Sequence, residues 1–426
     1  MMLPILALLA AAAPVATPAA AADPIARRVA HLLAATPVID GHNDLPWEIR
    51  ARYGRDLARI DLGRDTASLP HAADAVPLMT DIPRLRAGHV GAQFWSAYVP
   101  ATLSGAEAVR TTIEQIDLIH RMVAAYPRDF AEARTAEDIE RIERSGRIAA
   151  LIGVEGGHQI DMSFAVLRAY RALGVSYLTL THSRNTEFAD SATDAPRAHG
   201  LTPFGVALVA EMNRIGMLVD LSHVSPDTMR AALAASAAPV IFSHSGARAL
   251  DDHPRDVPDD VLALLRAQGG VVMINFYPPF VSEARFGWNA DQAAERARAA
   301  ARFVGQPKRA AAALAAWEAA HPRPAVTVAM VADHVEHVAR LCGHGCVGIG
   351  SDFDGIEEVP DGLRDVSAYP ALFAELARRG WSDADLRALA GGNILRVLRA
   401  AAAVSARLQK ERPPGSADLA RPAAGQ

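Results

Sequence analysis

Residues 38–44 read VIDGHND, a short β-branched run, Val38 and Ile39, that ends in Asp40, Gly41, His42, Asn43 and Asp44. The same pattern recurs along the chain. The run at 148–154 closes in VEGGH (154–158), the run at 176–181 in THS (181–183), and the run at 217–221 in DLSH (220–223). The run at 239–242 is followed by SHS (243–245), and the run at 347–350 by SDFDG (351–355). Two further runs, 90–99 and 270–276, bring the expected strands to eight. Amphipathic stretches at 163–173, 205–215, 225–235, 258–268 and 328–341 separate many of them. Strands alternating with helices imply βαβ units and a parallel sheet, and eight such units predict an α/β fold of the (β/α)8 TIM-barrel type. Chemistry in that architecture sits at the C-terminal ends of the strands, which is where six of these eight runs place His, Asp or Glu.

Composition is consistent with a large globular core and excludes several other classes. The chain has 426 residues, 50% hydrophobic and 21% charged, which is too apolar for a disordered protein. Its net charge is −5 and no basic patch carries interleaved aromatics, so nucleic acid is not an expected partner. The two cysteines, Cys342 and Cys346 in CGHGC, are too few for a structural zinc site. They read as two incidental small residues, with one short disulfide as the alternative open to an exported protein.

Residues 1–22 carry no charge, with Leu and Ile first and small residues after, as in a signal-peptide h-region and cleavage site. Export to a periplasmic or extracellular space is therefore expected, with no stable membrane anchor. One barrel domain is expected over 23–410 and a disordered tail over 411–426, which is polar and rich in Pro, Ala and Gly. Between 281 and 324 lies an Ala/Arg-rich insertion whose two helical stretches, 290–304 and 308–320, flank Gly305-Gln306-Pro307. A helical hairpin after strand seven would leave the barrel on its catalytic rim, as a lid over the site or as a surface or dimer contact.

The strand-end residues form a coherent donor set. His42 and Asp44 are two apart on an extended segment, so both face the same side and make a two-ligand unit for a divalent ion. Glu155 has two carboxylate oxygens and can bridge to a second ion, for which His223 and His244 supply imidazoles. Imidazole with carboxylate suits Zn²⁺, and two ions about 3.5–4 Å apart would polarise a carbonyl and activate water. The pattern argues metal-assisted hydrolysis.

The motifs DGHNDLPW (40–47), DIPRLRAGHVGAQFWSAY (81–98), GVEGGHQID (153–161), LTLTHSRNTEFAD (178–190), DLSHVS (220–225), SHSGARAL (243–250) and GSDFDG (350–355) resemble the renal, or membrane, dipeptidase family of zinc peptidases. The resemblance runs in order from about residue 37 to about residue 400. It implies a homodimeric enzyme that cleaves free dipeptides by a metal-bridging hydroxide, with two zinc ions per chain. By the same resemblance His42 and Asp44 bind one zinc, Glu155 bridges, and His223 and His244 bind the other. His182 faces the substrate and holds the developing oxyanion, Arg255 takes the terminal carboxylate, and Asp352 shuttles the proton.

Other residues are set aside. Asp354 is the rival of Asp352 by proximity. Asp40 and His158 read as supporting groups. His334 and His337, three apart on an expected helix, read as a solvated face and not a metal pair. A related barrel metallohydrolase acting on N-acyl amino acids or lactones would keep the metals but not need Arg255. A binding protein without turnover is opposed by the complete set of His42, Asp44, Glu155, His182, His223, His244 and Asp352.

Overall fold

The structure is a computed structural model that describes residues 23–71 and 76–416. The expected signal peptide and residues 417–426 of the expected tail lie outside the described residues. Nine strands form the sheet: β1 (Val38–Asn43), β2 (Val90–Tyr98), β3 (Phe130–Glu132), β4 (Ile148–Glu155), β5 (Val175–Thr179), β6 (Leu218–Asp220), β7 (Ile241–Ser245), β8 (Val271–Ile274) and β9 (Val347–Ile349). All their pairings are parallel and run in the order β2-β1-β9-β8-β7-β6-β5-β4. β2 then pairs with β4 from Ala92↔Ala149 to Tyr98↔Glu155, which closes an eight-stranded barrel.

The ninth strand was not expected. β4 meets β5 only from Ile152 onward, and β3 pairs with its first residues, Phe130↔Ile148 to Glu132↔Ala150. Three residues, Phe-Ala-Glu, between two helices are too short to show a period in sequence. At β7 the strand begins and ends later than expected, so His244 lies within it and not beyond it.

Helices cover the outside, and their ends are specified locally. Ser163, Thr202 and Ser225 cap helices Phe164–Ala172, Pro203–Ile215 and Pro226–Ala235 by accepting a backbone N–H three residues on. Most strand residues are buried because helices cover one face and the barrel core the other. Inside the barrel, Ile39, Phe94, Leu151, Tyr177, Leu218, Ile241 and Met273 pack together. Glycine makes room for them: a Cβ on Gly153 would stand 2.0 Å from the Tyr177 ring.

Three outer features bear on the expectations. Cys342 and Cys346 are bonded as a disulfide, which replaces the reading of two incidental residues. The helix Val328–Cys342 ends at Gly343 and the chain turns back, leaving the two Cα atoms 5.7 Å apart, within bridging range. His334 and His337 do not form a solvated face: they are 1% and 6% exposed. His334 takes the Ala247 N–H at Nδ1 and faces the Val281 carbonyl with Nε2, while His337 Nε2 meets Asp259. Their helix turns its apolar side, and these two histidines with it, toward the barrel. Beyond Glu411, where the last helix ends, Arg412 donates to the Ala210 carbonyl, and Gly415 meets Glu211 and Arg168.

The insertion is a helical hairpin, Glu283–Arg302 and Pro307–Ala320, with a Trp288–Trp317 contact at 5.6 Å near its base. Its second helix has no buried residue. At its base Arg285, Asn289 and Arg323 converge on the buried carboxylate of Glu358. Among the described residues no helix is long and apolar enough to cross a membrane.

Candidate active site

Strand ends bring the expected donors to one point of the C-terminal rim. His42 lies near the end of β1, and Asp44 begins the turn into helix Leu45–Tyr53, with its Oδ2 3.0 Å from His42 Nε2. Glu155 is the last residue of β4. Its Oε2 is 3.6 Å from His42 Nε2, while its Oε1 is 2.9 Å from His223 Nε2 and 3.4 Å from His244 Nε2. His223 and His244 turn their Nε2 atoms toward each other at 2.9 Å. His182 Nε2 lies 3.8 Å from Glu155 Oε1, and Asp352 Oδ1 lies 3.9 Å from His42 Nε2.

These atoms form three overlapping sets, each with donors within 4.8 Å of one another: His42, Glu155 and His244; Glu155, His182 and His223; His42, Asp44 and Asp352. The five expected metal ligands, the expected proton carrier Asp352 and the expected oxyanion donor His182 all fall in these sets. The donor set fits a divalent metal. Burial keeps His223 and His244 neutral, well below the usual imidazole range, as a metal ligand requires. Burial pushes the Glu155 carboxyl up, but the His42 and His182 rings and the bonds from His223 and His244 outweigh it and hold Glu155 well below the carboxylate range. Asp44 Oδ1 is buried without a hydrogen-bond partner. Imidazole nitrogens with carboxylate oxygens are the ligand types that zinc takes.

Supporting residues, of which only Asp40 was singled out in sequence, orient the donors. His42 Nδ1 is 2.8 Å from the Tyr177 hydroxyl. His244 Nδ1 is 2.8 Å from Ser243 Oγ, which in turn donates to Asp220 Oδ2 at 2.7 Å. Asp40 accepts the His42 and Ser351 backbone N–H groups and the Ser351 and Tyr369 hydroxyls, which ties the loop after β9 to β1. Its expected supporting role is seen in these bonds. Asn275, just past β8, donates to Asp352 Oδ2 at 3.0 Å.

Burial pushes the Asp352 carboxyl up to about 8; nearby His42 opposes this, and Asp44 and Glu155 add to it. Asp354 also lines the cavity, but its Oδ1 is held by the Met79 backbone N–H at 2.7 Å, and it is absent from the three donor sets. His223, Asp352 and Asp354 all have left-handed backbone conformations, with φ of 67°, 67° and 64°.

The donors open into a cavity of about 520 Å³. Trp47, Met79, Tyr98, Tyr277, Ile356 and Glu357 form part of its wall. Arg255 also lines it, 2% exposed, and its Nη2 donates to the His244 carbonyl at 3.3 Å. Its Nε and Nη1 have no partner, and the guanidinium lies 5.1 Å over the Phe280 ring. No residue of the 281–324 insertion lines the cavity, which favours the surface or dimer contact over the lid. The insertion reaches the wall through Glu358, beside the lining residue Glu357, and through Phe286, which packs on His253 against the lining residue Phe280.

A parallel barrel with converging imidazoles and carboxylates on its C-terminal rim defines a hydrolase of the metal-binding barrel type. The family described as "Membrane dipeptidase (Peptidase family M19)" matches residues 26–412. The chain belongs to that family of dipeptidases. It is 41% identical over 385 residues to an uncharacterized dipeptidase of Schizosaccharomyces pombe, covering 87% of this chain and 82% of that one. It is 40% identical over 408 residues to the dipeptidase verJ of Clonostachys rogersoniana, covering 93% and 92%. The solved structure of "dipeptidase AC", a metallopeptidase of the same family, superposes with a TM-score of 0.68 at 25% identity over 86% of this chain and 98% of that one.

Proposed function

We propose that the chain is a dizinc dipeptidase that hydrolyses the peptide bond of free dipeptides. The observation that carries this reading is the position of Glu155, whose two oxygens face His42 on one side and the His223–His244 pair on the other. His42, Asp44 and Glu155 would hold one zinc, and Glu155, His223 and His244 the other. When bound, zinc supplies an activated water and a Lewis acid for the scissile carbonyl.

The chain's own residues do the rest. Asp352 Oδ1, 3.9 Å from His42 Nε2 at the edge of the donor set, takes the nucleophile's proton and returns it to the leaving amine. His182 Nε2 donates to the oxygen that gains negative charge. Arg255 binds the substrate's terminal carboxylate through the two donors that have no protein partner. Burial of this guanidinium strengthens that pairing.

The test is a panel of free dipeptides, C-amidated dipeptides, N-acyl amino acids and lactones, with zinc content measured in parallel. Turnover confined to free dipeptides supports the reading. Preferential turnover of N-acyl amino acids or lactones replaces it with the related barrel hydrolase. We further propose export, supported by the Cys342–Cys346 disulfide, because such bonds persist in oxidising compartments. The mass of the mature N-terminus tests that.

A further inference from the structure

We propose that Tyr177 is a positioning residue for metal binding, whose hydroxyl holds the proton of His42 on Nδ1 and leaves Nε2 open to the ion. The inference rests on the dizinc reading and adds to it a residue outside the ligand set. Tyr177 lies on β5, across the barrel from β1, and is fully buried. Its hydroxyl is 2.8 Å from His42 Nδ1 and donates to the Gly41 carbonyl at 3.2 Å. A phenol has one proton. When that proton goes to Gly41, the oxygen accepts from His42 Nδ1, and Nε2, which faces Asp44 and Glu155, is the nitrogen left for the ion.

The interior is shaped around this ring. Gly153 stands opposite Tyr177 in the β4–β5 register, and a Cβ there would come within 2.4 Å of the hydroxyl oxygen. Gly41 is similarly confined, since a Cβ would meet Met273 Sδ at 2.5 Å and the Ser243 carbonyl at 2.6 Å. Only glycine therefore fits where the backbone presents this carbonyl to the phenol. His244 has the equivalent arrangement through Ser243 and Asp220, so both faces of the metal site use a hydroxyl to set the imidazole. Partners of this kind commonly contribute 10–100-fold in metal affinity.

The test compares wild type with Tyr177→Phe, which removes one oxygen and keeps the ring. Zinc is titrated against a competing chelator. Wild type should bind two equivalents, and the variant should hold one of them about 10–100-fold more weakly, with the other less affected. Two unchanged affinities, even with reduced stability of the metal-free protein, would make Tyr177 a strand tie only and overturn the proposal. Wild type that takes up no zinc would overturn the dizinc reading itself. If the variant does not fold, nitrogen NMR of His42 in zinc-loaded wild type decides: hydrogen on Nδ1 supports the proposal, and metal on Nδ1 overturns it.

Discussion

Glu155 Oε1 stands 2.9 Å from His223 Nε2, and the other oxygen of the same carboxylate faces His42 at 3.6 Å. One side chain thus serves two ligand groups that come from strands on different sides of the barrel. Glu155→Gln replaces one oxygen with an amide that donates where an acceptor is needed. Zinc content should fall from about two per chain to one or fewer, with turnover nearly lost. Elemental analysis after removal of loosely bound metal, paired with dipeptide hydrolysis, checks this; full activity with one tightly held ion would defeat the two-metal mechanism.

Asp352→Asn preserves shape next to Asn275 but cannot accept a proton. The variant should fold and retain zinc while kcat drops by roughly 10²–10⁴-fold. Near-normal turnover would move the proton role to Asp354 or Glu155.

Arg255→Ala leaves the cavity without its buried cation. KM for free dipeptides should rise steeply, with a much smaller change for C-amidated substrates, because the terminal carboxylate is the proposed partner. Steady-state kinetics on matched pairs of substrates measure the difference. Equal losses on both would remove the carboxylate role.

The insertion should act through its base and not its tip. Replacing residues 291–318 with a short Gly/Ser linker keeps Arg285, Asn289 and Arg323, so KM and the preference for dipeptides over tripeptides should stay unchanged. Glu358→Ala releases the segment that carries Glu357 and Ile356 into the cavity wall, and KM should rise. New tripeptide activity in the linker variant would restore the lid.

Glu143 offers a pH test remote from the metal site. Its carboxyl lies against Gly91, where a Cβ would come within 2.6 Å of Oε1, and burial pushes it from 4.5 up to about 7, with Glu140 adding to the shift. Between those values the folded state holds a proton that the unfolded chain has lost. Stability contributed by this group is therefore present below pH 4.5 and lost as pH rises through 7. Glu143→Gln mimics the protonated form. Its Tm relative to wild type should be higher at pH 8 than at pH 4, and a constant difference would show that Glu143 does not titrate there.

The barrel and its candidate donors were legible because most of these side chains close an apolar run, where an ionisable group has no packing reason to be. His42 and Glu155 stand out for that reason, as do His223 and Asp352, each three residues past its strand. Tyr177 and Asn275 were not legible. A tyrosine inside a β-branched run reads as core, and its hydroxyl matters only because the closed barrel brings β5 opposite β1. His334 and His337 misled for the complementary reason, since a helix pattern does not say which polar residues will be sealed by a neighbouring element. The disulfide depended on how a helix ended, which spacing alone does not reveal.

Left-handed backbone at His223, Asp352 and Asp354 costs of order 1 kcal/mol or more at each position, a cost glycine would avoid. Selection for heat tolerance alone would therefore reward glycine at the sites of the proposed ligand and the proposed proton carrier. The expected product of such a campaign is a sturdier barrel that no longer turns over substrate. Any screen for a hardier form of this enzyme has to score catalysis in every round.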